Sequence, residues 1–88
     1  MKKINGNLTI QKGNTIDYSE LEEITGYLSI NSSADLKALK SVGGYLYIYS
    51  SADLKAPNLK SVGGYLYIYS SADLKAPNLK SVGYNLFE

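Results

Sequence analysis

A mainly β chain, wound as a parallel β-solenoid of about four 18–20-residue turns plus a closing strand, is the fold this sequence predicts. Three observations carry that expectation. Residues 45–63 and 65–83 both read YLYIYSSADLKAPNLKSVG, so the chain repeats with a period of 20. Within each copy Tyr-Leu-Tyr-Ile-Tyr alternates strictly, the two-residue period of a half-buried strand with Leu and Ile inward and Tyr outward. One such strand per turn cannot close a core alone, so each turn must bury its apolar side against the next, Leu on Leu and Val on Val.

Taken in order, the 88 residues form one domain: an N-terminal capping turn over 1–26, three repeats over 27–83 and a closing strand over 84–88. The first turn is disguised. Leu8, Ile10, Ile16, Leu21 and Ile24 stand where Leu66, Ile68, Leu74, Leu79 and Val82 stand in the last full copy. Its return segment has a capping-box spacing, Ser19 to Glu22, which predicts at most one or two helical turns over 17–24. The second copy, 27–44, reads YLSINSSADLKALKSVGG and is two residues short, a deficit assigned to the APNL segment. Strands are expected near 7–11, 27–31, 45–49, 65–69 and 84–87, with Leu8, Leu28, Leu46, Leu66 and Leu86 in one buried column. Gly43-Gly44 and Gly63-Gly64 mark corners where a side chain would obstruct or φ must turn positive. Leu74, Leu79 and Val82 are spaced too irregularly for a useful helix, and Pro77 interrupts any ladder, so the return path is extended or turning.

Nine Lys balance eight Asp plus Glu for a net charge of +1, and Arg, His, Cys and Trp are absent. This composition excludes thiolate and imidazole catalysis, disulfides, Cys/His zinc sites and bidentate Arg clamps on phosphate. It points to a chain that binds rather than one that catalyses, with no cofactor and no metal. Near-neutral charge argues against a polyanion partner. No apolar run is long enough for a secretory signal or a membrane span, and the expected location is the cytoplasm. Glu22 aligns with Lys40, Lys60 and Lys80, Asp17 with Lys37, Lys55 and Lys75, and Asp35, Asp53 and Asp73 align with one another. Asp17, Glu20, Glu22 and Glu23 thus form an acidic cap that offsets the Lys columns. The C-terminal strand has only Glu88 as a charge, so its end is expected to be covered by a second copy, or by Phe87 folding back over Leu79 and Val82.

The repeated L-K-S-V-G-G-x-L-x-I, as in residues 39–48 and 59–68, resembles the leucine-rich solenoids of receptor L-domains and of short bacterial and phage proteins. The resemblance implies a right-handed solenoid with one parallel sheet used for protein recognition. It also suggests a small phage or mobile-element protein that blocks a host enzyme. The sequence departs from the standard L-x-x-L-x-L-x-x-N pattern: Val62 precedes Leu66 by four residues, and Ser70 or Ser71 replaces the Asn of the ladder. A flatter, less regular solenoid than a horseshoe is expected.

The tyrosines carry the functional expectation. Tyr45, Tyr47, Tyr49, Tyr65, Tyr67 and Tyr69 form a grid of six outward phenols, with Tyr27 on one side and Phe87 on the other. Cross-strand packing accounts for part of such a grid. A contiguous aromatic surface without charge exceeds that need and marks an interface, because Tyr offers large contact area at low rotamer cost. The partner expected is another protein, with a second copy of the chain as the alternative. Nucleic acid is disfavoured because the cations lie away from the rings, and sugar because Trp is absent. Lys55, Lys60, Lys75 and Lys80 form a secondary charged edge, read first as ordinary solvated surface. The Asp column sits too close to Lys to hold calcium. The Ser-Ser pairs have no base beside them, and the Gly pairs precede neither a helix nor a GKS/T sequence.

Overall fold

Each strand finds its copy one turn further along. The structure, a computed structural model, describes residues 2–87, with side chains as far as residue 84. The strands are β1 (Lys3–Ile4), β2 (Leu8–Ile10), β3 (Glu23–Ile24), β4 (Leu28–Ile30), β5 (Ala34–Asp35), β6 (Ser41–Val42), β7 (Leu46–Ile48), β8 (Asp53–Lys55), β9 (Ser61–Ile68), β10 (Asp73–Lys75) and β11 (Ser81–Phe87). Every pairing is parallel. The coils stack as a β-solenoid of about four turns, as the repeat predicts.

A turn visits three ladders. The first runs through β1, β3, β6, β9 and β11 and stacks Ile4, Ile24, Val42, Val62 and Val82. The second runs through β2, β4, β7 and β9 and stacks Leu8, Leu28, Leu46 and Leu66, with Ile10, Ile30, Ile48 and Ile68 beside them. β9 and β11 run unbroken across both, which joins the two ladders into one eight-stranded sheet. The third ladder is a separate sheet, ordered β10-β8-β5. The single sheet implied by resemblance is therefore corrected to two. The second sheet is built from Asp-Leu-Lys triplets, too short to declare a strand without the neighbouring rung.

The middle turns are close-packed. Leu28, Leu46, Leu39, Leu59, Leu54, Ile30 and Ile48 are all fully buried. The glycine pairs are explained by close approach and not by conformation. A Cβ on Gly43 would lie 2.4 Å from the Thr25 carbonyl oxygen, and one on Gly63 2.4 Å from that of Gly43. The positive-φ glycines are Gly6 and Gly13.

Several expected placements are corrected. No helical turn forms over 17–24. The Asp17 Oδ1 accepts the Ser19 N–H at 2.9 Å, and Leu21 N–H closes a turn onto the Tyr18 carbonyl, so Ser19 starts a turn and not a helix. Ile16 leaves the Leu column and is 55% exposed. Asn14 bonds both its N–H and its carbonyl and holds the loop outward, while Tyr18 packs against the core.

The two-residue deficit of the second copy falls in its Ser-Ser segment and not at the missing Pro-Asn. Ile30 pairs with Ile48, but Ala34 already pairs with Leu54. The longer copies spend the extra residues on tight turns closed by Ala52 N–H to Tyr49 O and Ala72 N–H to Tyr69 O. These turns place Ser51 and Ser71 in the left-handed region at φ 66° and 65°. The consequence is a swap in the core. Ala34 and Leu36 in one rung face Leu54 and Ala56 in the next, small against large, which fills the interior at constant volume.

That shift also alters the charge columns. Asp35 lies opposite Lys55, so only Asp53 and Asp73 stack as carboxylates. Lys37 leaves the column of Lys55 and Lys75: its carbonyl accepts the Asn58 side-chain amide, as the Pro57 carbonyl accepts that of Asn78. The acidic offset holds at Glu22, whose Oε1 lies 3.1 Å from Lys40 Nζ.

The closing strand slips by one residue, because a single Gly83 replaces the glycine pair. Tyr84 pairs with Tyr65, Asn85 with Leu66, Leu86 with Tyr67 and Phe87 with Ile68. Leu86 is therefore out of the Leu66 column in register. The side chains of Leu86 and Phe87, and Glu88 altogether, lie outside the described residues, as does any fold-back of Phe87.

Candidate functional site

Alternation along β7 and β9 sends Leu46, Ile48, Leu66 and Ile68 inward, so Tyr45, Tyr47, Tyr49 and their copies Tyr65, Tyr67, Tyr69 must occupy the outer face. Exact register then brings like onto like. The Tyr45 and Tyr65 rings stack at 5.0 Å, Tyr47 and Tyr67 lie 6.1 Å apart, and Tyr49 and Tyr69 4.7 Å apart. Contacts also run along each strand, Tyr45 to Tyr47 at 5.7 Å, Tyr47 to Tyr49 at 6.1 Å and Tyr67 to Tyr69 at 4.5 Å. The six rings are thus one connected layer. They shield one another: Tyr47, Tyr49, Tyr67 and Tyr69 are half-buried, while Tyr45 and Tyr65 remain about two-fifths exposed.

Tyr47 sits inside this layer, and its phenol is held above the ordinary value. Desolvation is the main cause, with the neighbouring Tyr45, Tyr49, Tyr69 and Tyr65 adding repulsion to any phenolate. The Tyr47 phenol therefore stays neutral at physiological pH, and the layer presents hydroxyl tips over an apolar base. Such a surface can offer contact area and hydrogen bonds.

Tyr27 lies below Tyr45, as expected, with its N–H bonded to the Asn7 side chain at 2.9 Å. The other margin gains a ring that the sequence reading did not name. The backbone of Phe87 pairs with Ile68, and its side chain lies outside the described residues, whereas Tyr84 joins the layer edge-on to Tyr65 at 5.5 Å and is 65% exposed. The sequence carried a signal for Tyr84: one glycine where the other corners have two shifts the following strand by one position.

The four lysines of the secondary edge are not one surface. Lys55 and Lys75 pair in β8 and β10 of the second sheet. Lys60 and Lys80 stack with Lys40 in the turn before the first ladder, joined by Lys60 N–H to Lys40 O and Lys80 N–H to Lys60 O, each 2.9 Å. Lys75 Nζ is engaged by Asp73 at 3.1 Å. Among the described residues no group of three or more His, Cys, Asp or Glu side chains converges. An open groove of about 250 Å³ lies where the irregular 11–18 segment stands off β5, lined by Ile10, Asn14, Ile16, Tyr18, Asp35 and Leu36.

Compared with protein-family models, with curated proteins and with solved structures, the chain matches none.

Proposed function

We propose that the chain is a non-enzymatic protein-binding module whose working surface is the tyrosine layer of β7 and β9, extended by Tyr27 and Tyr84. One observation carries the reading: the rings of Tyr45, Tyr47, Tyr49, Tyr65, Tyr67, Tyr69 and Tyr84 form a continuous contact network with no charged side chain among them. A pre-stacked layer has already lost most of its rotamer freedom, so a partner docks on it with little further ordering cost. In the finer form of this reading the chain is a short leucine-rich-repeat-like solenoid of phage or mobile-element type, acting in the cytoplasm by covering a host protein.

The test is capture of protein partners on the immobilised chain, with Tyr47→Ala and Tyr67→Ala as paired variants. Central residues of an interface are the best shielded from water, so each substitution should weaken capture by at least ~1–2 kcal/mol while circular dichroism retains the β signal. Capture that survives both substitutions and is lost on charge reversal of Lys55 and Lys75 would overturn the reading.

A second reading, self-association, has its own support. Leu74, Leu79 and Val82 at the C-terminal end are only partly buried, although their copies Leu54, Leu59 and Val62 are fully enclosed.

A further inference from the structure

We infer that β10 is the seat of a two-fold dimer, in which Asp73–Lys75 pairs antiparallel with the same strand of a second copy, centred on Leu74. The inference rests on the self-association reading and is independent of the tyrosine layer.

The backbone of β10 sets the geometry. Asp73 N–H donates to the Ala52 carbonyl at 3.0 Å, and the Lys75 carbonyl accepts from Ala56 N–H at 2.9 Å, so these residues turn their backbone groups toward β8. Alternation turns the N–H and C=O of Leu74 the other way, toward the outer edge, where no further strand pairs among the described residues. Two copies related by a two-fold axis at Leu74 exchange these groups as a hydrogen-bonded pair. Asp73 then falls opposite Lys75 of the second copy, and Lys75 opposite its Asp73, in the flanking positions where side chains approach most closely.

Charge selects this arrangement over continuation of the solenoid. β8 and β10 already stack Asp53 on Asp73 and Lys55 on Lys75. Another parallel strand of the same kind would lengthen both like-charge columns, whereas an antiparallel one sets opposite charges face to face. Asp-Leu-Lys is self-complementary only when one strand is reversed. Head-to-tail continuation of this sheet is disfavoured on other grounds. The far edge of this sheet is β5, and the irregular 11–18 segment standing off it leaves a groove in place of a strand. An isologous, closed contact through β10 meets no such obstacle.

The apolar surface agrees. Ala72, Leu74, Ala76, Leu79 and Val82 are partly exposed, and Ala52, Leu54, Ala56, Leu59 and Val62 are buried, although the two sets come from identical sequence. Among the described residues the first five lack a covering layer one strand thick, and the second copy's end supplies it.

Sedimentation across a dilution series should show a concentration-dependent dimer. Asp73→Lys and Lys75→Asp, both at exposed side chains, should each weaken it by about tenfold or more, because two attractive cross-strand pairs become repulsive. An equimolar mixture of the two variants should regain the dimer, since each Lys then meets an Asp. Amide exchange at Leu74 should slow as concentration rises, and Tyr47→Thr should leave the dimer intact. A strict monomer overturns both the pairing and the self-association reading. A dimer indifferent to both charge reversals, or a mixture of folded variants that stays monomeric, overturns the pairing alone.

Discussion

On the second ladder the first two turns and the last two share one backbone register and differ in most of what faces outward. At the outward positions of this ladder the early turns carry Asn7, Thr9, a buried Ser29, Asn31 and a single tyrosine, Tyr27, whereas the later ones carry Tyr45, Tyr47, Tyr49 and their copies. Leu28 and Leu46 are equally buried beneath these two surfaces, and Ser29 pairs in register with Tyr47 without disturbing the strand. Stacking therefore does not require the tyrosines, and their concentration in one half argues for a use beyond the fold. The same comparison exposes a cost of exact repetition. Identical rungs stack like charges, Asp53 on Asp73 and Lys55 on Lys75, and divergence in the early turns relieves this, with Glu22 below Lys40 and Asp35 beside Lys55.

The largest expected effect separates the middle of the stack from its end. Leu46→Ala should cost about 2–5 kcal/mol in urea unfolding, because the residue is fully enclosed and its neighbours above and below cannot all collapse into the cavity. Leu79→Ala, at a partly buried position, should cost clearly less. Equal losses at the two sites would mean that the C-terminal end is as well covered as the centre.

Next in size is the glycine corner. Gly63→Ala places a methyl group against the Gly43 carbonyl oxygen, which is rigid backbone, and should destabilise by about 1–3 kcal/mol. A neutral result would show that adjacent turns can separate at the corner without loss elsewhere.

The tyrosine layer should announce itself in alkali. The Tyr47 phenol is raised in the folded chain, so the fold binds that proton more tightly than the unfolded chain does. The stability it contributes is complete below the ordinary tyrosine value of about 10 and is lost as pH rises through the higher folded value. Unfolding midpoints should fall above pH about 10, and Tyr47→Phe should flatten the decline. Loss of stability with the same slope in that variant would place the titration elsewhere in the layer.

The smallest effect concerns the acidic cap. Glu22→Gln should cost about 0.2–1 kcal/mol, diminishing in high salt, since the pair with Lys40 is partly exposed and screened. No salt dependence of the difference would remove the electrostatic account of the cap.

Periodicity settled the inner columns from the sequence alone. A 20-residue repeat with strict alternation admits one stacking that buries Leu8, Leu28, Leu46 and Leu66 together, because a slip of one residue would turn every Leu outward. The outward tyrosines followed from the same parity. What pairing of residue names could not decide was where a length difference is absorbed. Alignment of identical letters put the deficit of the second copy at Pro-Asn. The chain instead shortens the turn beside Ser32-Ser33, because exchanging Ala34 and Leu36 for Leu54 and Ala56 keeps the core filled. The displacement of Asp35 and Lys37 from their expected partners has the same origin, and that of Leu86 follows from the single glycine at Gly83. Repetition specifies which side of a strand is buried, but register beyond a gap is chosen by packing and backbone pairing between neighbouring turns, and those exist only in the assembled solenoid.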